Sequence, residues 1–204
     1  MFHNVPIKKA IDGVRALLVY THAKWILLFH YDKKQFIYGR WFHGGKYGNF
    51  YALGWKWIVD DYKACKKQRV NRNCPWPVSS RISVVCPENI EFHPDDLNNF
   101  QGMGNYFQAL GKIKLGHGTY IAPNVGIVTA NHTIGDLDDH DEAKPVIIGE
   151  KCWIGMNSMI LPGVILGRNT IVGAGSIVTK SFPDGNCIIA GNPAKVIRQI
   201  NSTD

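Results

Sequence analysis

From Ile148 to Phe182 the chain returns to a large aliphatic residue every six positions: Ile148, Ile154, Ile160, Leu166, Val172 and Val178. One place after them stand Gly149, Gly155, Leu161, Gly167, Gly173 and Thr179. Four places after them stand Cys152, Ser158, Val164, Thr170, Ser176 and Phe182, most of them small or β-branched. A period of six contains whole two-residue alternations of a strand but not whole 3.6-residue turns of a helix. Each unit therefore predicts a short strand with one large side chain aimed inward, followed by a corner. The glycines are expected at the corners, in the φ > 0 region that sharp turns often need. Burying one such aliphatic side chain stabilises by about 1.5–3 kcal/mol, so a stack of them outweighs weak local propensity. The stretch predicts a solenoid.

Upstream, the six-residue frame is clear at Leu115, Ile121 and Ile127 and ragged before that. Ile82, Val84, Ile90 and Phe92 supply strands, whereas Leu97 and Met103 keep register only weakly. The step from Ile127 to Ile148 is 21 residues, not a multiple of six. Extruding 15 residues, about Asn131 to Pro145, restores the frame, and extruding nine would also do so. The polar, acidic run from His132 to Pro145 suits a projecting loop. Pro75-Trp76-Pro77-Val78 marks the start of the solenoid. Before it, Trp25–Tyr31 and Gln35–Phe42 flank Asp32-Lys33-Lys34 and predict a β-hairpin. Leu53–Arg69, with Trp57, Val59, Tyr62 and Cys65 between charges, predicts a short helix or an aromatic cap. After the repeat, Ala190-Gly191-Asn192-Pro193-Ala194 leads into an expected short helix through Val196 and Ile197. Solenoid ends need covering, so the chain is expected to divide into an N-terminal cap (1–77), a repeat region (78–190) and a C-terminal short helix and tail (191–204).

The motifs IIGEKCWIGMNSMILPGVILG, VGAGSIVTK and AGNPAKVIR, with LGHGTYIAPNVGIVTANH upstream, follow one another as in the hexapeptide-repeat acyltransferases. The chain resembles that family over roughly residues 80–200, and most closely its sugar and polysaccharide O-acetyltransferases. The resemblance implies a mainly β fold: a left-handed parallel β-helix of triangular section, against the usual right-handed preference of parallel connections. It also implies a homotrimer with each active site between two prisms. The implied reaction is direct transfer of an acetyl group from acetyl-CoA to a sugar hydroxyl, in cell-surface polysaccharide biosynthesis, without an acyl-enzyme.

Carried over residue by residue, the resemblance makes His132, in Thr129-Ala130-Asn131-His132 at the mouth of the loop, the general base. That step needs a group titrating near working pH, which imidazole side chains ordinarily do. Asn105, in Gly102-Met103-Gly104-Asn105, matches an asparagine that contacts substrate, although an asparagine in a turn is commonly structural. The backbone N–H of Met156 matches the donor to the thioester oxygen. Trp153 is expected to line the groove for the pantetheine arm, or to sit at a trimer seam. Ala174, Thr179 and Lys180 match positions that hold pantetheine and adenosine, and Lys195 and Arg198 the basic tail near the 3′-phosphate.

Charge narrows the partners. Residues 1–80 hold fourteen Lys/Arg against four Asp/Glu, a net of +10, while the whole chain carries +7. Such asymmetry fits either a solvated basic face or an anionic partner; the absence of a recognisable binding module speaks against nucleic acid. Val14–Phe29 is apolar but carries Arg15, His22 and Lys24, so it does not read as a membrane span, and peripheral contact stays open. Five cysteines without paired spacing, and an N-terminus without a signal-peptide pattern, point to the cytoplasm, either free or at the inner face of the membrane. No metal is expected. A zinc lyase of the γ-carbonic anhydrase kind would need His117, His132 and His140 to converge. A scaffold or glycan-binding trimer without chemistry, and N-acetylation of an amino sugar or acetylation of another small hydroxyl compound, are the other readings.

Overall fold

The computed structural model describes residues 5–43 and 49–201; residues 1–4, 44–48 and 202–204, which belong to the expected cap and tail segments, lie outside the described residues. Three parallel sheets make up most of the fold, and the chain visits them in rotation. The first face stacks Ser83–Val85, Tyr106–Gln108, Gly126–Val128, Met159–Ile160 and Ile177–Val178. The second stacks Ile90–Glu91, Ile113–Leu115, Val146–Ile148 and Ile165–Leu166. The third stacks Tyr120–Ile121, Trp153–Ile154, Thr170–Val172 and Cys187–Gly191. Met159 pairs with Ile177, Ile165 with Ile147 and Trp153 with Ile171, so one full coil is 18 residues, or three six-residue units.

The inward ladder is as the sequence predicts: Ile148, Ile154, Ile160, Leu166, Val172 and Val178 are all at most 1% exposed. The smaller inward rank of Cys152, Ser158, Val164, Thr170 and Ser176 is buried with them. The buried hydroxyls find backbone carbonyls, Ser176 Oγ donating to Gly173 O at 2.6 Å and Thr170 Oγ1 to Gly167 O at 2.7 Å. Ile127 pairs with Ile160, 33 residues on where 18 is the rule, so the extrusion is 15 residues and not nine.

The glycines do a different job from the one expected. Positive φ falls three places after the inward aliphatic, at Asn124, Lys151, Asn157, Gly163, Asn169 and Gly175. Gly149 and Gly155 instead sit where neighbouring coils touch. A Cβ on Gly149 would lie 2.7 Å from Arg168 N, and one on Gly155 2.6 Å from Val172 O. The requirement is close approach of two backbones.

Two expectations at the ends are corrected. No hairpin forms at Trp25–Tyr31 and Gln35–Phe42. Helix α1 runs Val5–Leu27, and Asp32 accepts the Lys34 N–H at 3.1 Å to cap a single 3₁₀ turn at Lys33–Gln35. The alternating aromatics misled because both sides of this segment are apolar: Ile26, Phe36 and Phe42 are buried, whereas Trp25 and Phe29 face outward. Helix α2, Leu53–Gln68, covers the stretch read as a short helix and ends where Arg69 adopts φ 60°. The helices meet through Tyr20 and Trp55, ring centroids 4.9 Å apart, with Phe42 wedged 5.1 Å from Trp55. Trp76, Phe92, Phe100 and Phe107 then form an aromatic plug leading into the first coils.

At the other end no helix follows residue 191 among the described residues. Ala194–Gln199 is a strand that turns back antiparallel on Cys187–Gly191, with Ala190 opposite Lys195 and Ile188 opposite Arg198. The last sheet edge would otherwise present bare N–H and C=O groups. Pairing with it satisfies more backbone than a short isolated helix could.

Candidate functional site

The corners of the solenoid form three edges, and two of them carry the candidate residues. Between the third and first faces, successive coils bring Asn105, Met156 and Ala174 into one column. Asn124 N donates to Met103 O at 3.1 Å, Asn157 N to Pro123 O at 3.3 Å and Gly175 N to Met156 O at 2.8 Å, so each corner rests on the next. Met156 and Ala174 are exposed. The Met156 N–H donates to nothing among the described residues. Asn105 is 2% exposed, its Oδ1 accepts the Val125 N–H at 3.1 Å, and its Nδ2 has no partner among the described residues. At the neighbouring corner Asn99 does similar work, accepting the Ile121 N–H and donating to Thr119 O, both at 2.9 Å.

Between the first and second faces runs the other edge. Here the 15 extra residues leave as an antiparallel hairpin, His132–Thr133 against Asp136–His140, with every residue of its second strand exposed. Its base is tied by Lys144 N to Thr129 O at 2.7 Å and Asp141 N to Asn131 O at 2.9 Å. Register sets His132 opposite His140, with ring centroids 4.3 Å apart. Both imidazoles are exposed at the hairpin's foot. Thr179 and Lys180 turn the same edge further along the solenoid, both exposed, with Lys180 Nζ 5.7 Å from the Phe182 ring centroid.

His132 and the Asn105–Met156–Ala174 column therefore leave opposite ends of the same face within one chain. Trp153 belongs to neither edge. It stands 56% exposed on the third face beside Tyr120, over a shallow depression shared with Gly118, Lys151 and Cys152. Lys195 and Arg198 lie on the exposed closing strand of that face.

Within one chain His117 does not join His132 and His140. His117 belongs to the third edge, where its Nδ1 lies 3.4 Å from the buried Asp96 carboxylate and its ring 3.9 Å from that of His93. His93, Asp95 and His117 bring one ligand atom each within 4.8 Å of one another, the one such cluster among the described residues. Sequence reading missed this grouping because its members come from different coils. It missed the Asp61–Gln101 contact for the same reason: Gln101 Nε2 donates to Asp61 Oδ2 at 3.0 Å, joining cap to solenoid. Burial pushes the Asp61 carboxyl up to about 7 despite that bond, with Asp60 adding to the rise and Arg81 opposing it. Burial likewise raises the thiols of Cys65 and Cys74, to about 11 and about 12, so they are packing groups and not nucleophiles.

Residues 145–180 match the family model for the bacterial transferase hexapeptide, six repeats. The match contains the inward ladder from Ile148 to Val178. Among curated relatives, the galactoside O-acetyltransferase of Escherichia coli is 42% identical over 95 residues, covering 45% of this chain and 46% of that protein. The galactoside O-acetyltransferase of Lactococcus lactis is also 42% identical over 95 residues, covering 45% of each. The chain thus spans about half the length of these relatives. A solved maltose O-acetyltransferase from Clostridium difficile is 35% identical, covers 63% of each chain and superposes with a TM-score of 0.45.

Proposed function

We propose that the protein is an acetyl-CoA-dependent O-acetyltransferase that acetylates a hydroxyl of a sugar in cell-surface polysaccharide biosynthesis. It works as a homotrimer of left-handed parallel β-helices, with peripheral membrane contact through its basic N-terminal segment. One observation carries the reading: a six-residue solenoid, matched over residues 145–180 by the transferase hexapeptide model, is broken just before that match by a hairpin whose foot holds an exposed imidazole. The galactoside O-acetyltransferase names of two relatives support a saccharide acceptor.

In the proposed reaction the His132 imidazole accepts the proton of the acceptor hydroxyl as that oxygen attacks the thioester carbonyl. The carbon–sulfur bond breaks, and the thiolate leaves with the proton returned by the imidazolium. His140 lies beside it, the two rings tilted by 37°. The Met156 N–H, free of other partners among the described residues, receives the developing oxyanion; one such donor is worth roughly 2.7–4 kcal/mol. His132 and Met156 leave opposite ends of one face, so a site using both is completed by two protomers packed side by side, which is why the reading requires the trimer. Asn105 lies beneath the corner and is assigned a positioning role, holding Val125 and hence the turn below Met156. Trp153 flanks the pantetheine groove, Ala174 and Thr179 offer the close backbone approach that a thin arm needs, and Lys180, Lys195 and Arg198 supply cations for its phosphates. These exposed small and basic side chains suit the acyl carrier in size and charge.

The test is an acetyl-CoA turnover screen over a panel of sugars, read by thiol release. Acceptor-dependent release with at least one saccharide is expected. Tight coenzyme A binding without turnover on any hydroxyl acceptor would contradict the reading.

A further inference from the structure

Helix α1 is apolar on two opposite sides. Val19, Ala23 and Ile26 pack inward on the cap. On the outer side Ile11, Val14, Leu18, Trp25, Leu28 and Phe29 are each between 47% and 70% exposed. At 100° per residue Ile11, Val14, Leu18 and Trp25 line up as one stripe, and Phe29, just past the helix end, meets Trp25 edge to face at 5.9 Å. A contiguous apolar surface of this kind marks a contact site. Among the described residues no helix is long and apolar enough to cross a membrane, so the stripe can only lie against what covers it.

Charge selects the cover. Exposed Arg15 lies beside the stripe, and the first 80 residues carry a net +10. A second copy would bring the same field against itself, whereas an anionic surface is drawn to it. At the C-terminal end of the stripe, next to Phe29, a cavity of about 240 Å³ is lined by His30, Tyr62, Lys66 and Arg72. Its donors are already arranged, with the Tyr62 hydroxyl 3.0 Å from His30 Nε2 and Lys66 Nζ 3.5 Å from that hydroxyl.

We propose that α1 lies in the headgroup layer of a membrane, its outer stripe among the acyl chains, while the Lys66–Arg72 cavity seats the phosphate of an anionic phospholipid. This rests on the peripheral contact proposed above and gives it a surface and a lipid class. Bulky aromatic and aliphatic residues opposite a core-facing side, with cations at the flanks, are the composition of helices that lie in that layer.

Flotation with phosphatidylcholine vesicles, with and without phosphatidylglycerol, tests it. The wild-type protein is expected to float with the phosphatidylglycerol-containing vesicles, and less so as salt is raised. Leu18→Glu with Phe29→Glu should lower partitioning by about tenfold or more. Lys66→Ala with Arg72→Ala should lower it by about fivefold per cation and remove the preference for phosphatidylglycerol. Both pairs replace exposed side chains, so melting temperature, oligomeric state and acetyl-CoA turnover should stay at wild-type values. Wild-type protein that floats with neither vesicle overturns the membrane contact itself. Flotation that neither pair alters overturns the surface and leaves the contact standing. A changed oligomeric state in the Leu18–Phe29 pair means that a second copy covers the stripe, and overturns the proposal.

Discussion

Asp61 is a carboxyl at the seam between cap and solenoid, 8% exposed and accepting from Gln101. Its folded pKa of about 7 lies above the ordinary value of 3.8, so the native state holds the proton more tightly than the unfolded one. Stability from this group is fully present below about pH 4 and is lost as pH rises through about 7. At about 1.4 kcal/mol per pKa unit, the loss is bounded at about 4 kcal/mol. Asp61→Asn keeps an acceptor for Gln101 and should flatten the melting-temperature profile between pH 4 and pH 7; an unchanged slope would contradict the assignment. Ile160 makes the opposite case, a 0%-exposed side chain in the apolar core. Ile160→Asp buries an unpaired charge and should abolish soluble expression; recovery of a stable protein would mean that the inward frame is misread. Ile160 could be picked out from the sequence because it recurs in a period. Asp61 could not, because its partner lies 40 residues away and its pKa is set mainly by burial.

The six-residue units and the connections between them behave differently as elements. A strand whose inward residue repeats every six positions has one register available, so the sequence could be read directly across Ile148–Val178. An insertion was legible for the same reason, as a broken count, while its length of 15 rather than nine residues came from the pairing of Ile127 with Ile160. Removing residues 131–145 joins Ala130 to Val146 with the count restored. That variant should stay folded, with a melting temperature within a few degrees of wild type, and should lose turnover along with His132; removing 13 residues instead should unfold it. Gly149→Val places a Cβ against the next coil's backbone, 2.7 Å from Arg168 N, and should cost about 2 kcal/mol or more in denaturant unfolding. Asn157→Gly, at φ 59°, should be tolerated. The ends were misread where periodicity gives no guide. In α1 an apolar residue faces outward nearly as often as inward, so no single period stands out. At Ala194–Gln199 the deciding factor is an open sheet edge built by residues 187–191, which local pattern does not contain.

At the scale of the whole molecule the two candidate edges flank one face, and the basic charge is concentrated in the cap at one end of the solenoid. The proposed site, assembled from His132 of one protomer and the Met156 corner of another, would make activity depend on assembly: conditions that dissociate the proposed trimer should abolish turnover before they unfold the chain. The candidate residues were legible as a set because motif order marks them. Their distribution over two edges and the third face was not, since it depends on how three faces share the chain. The most direct measurement is kcat of His132→Ala with a saccharide acceptor, alongside calorimetric binding of coenzyme A. A general-base role for His132 predicts that kcat falls by roughly 10²–10⁴-fold, with trimer, melting temperature and coenzyme A affinity kept. Near-normal turnover in that variant would contradict it.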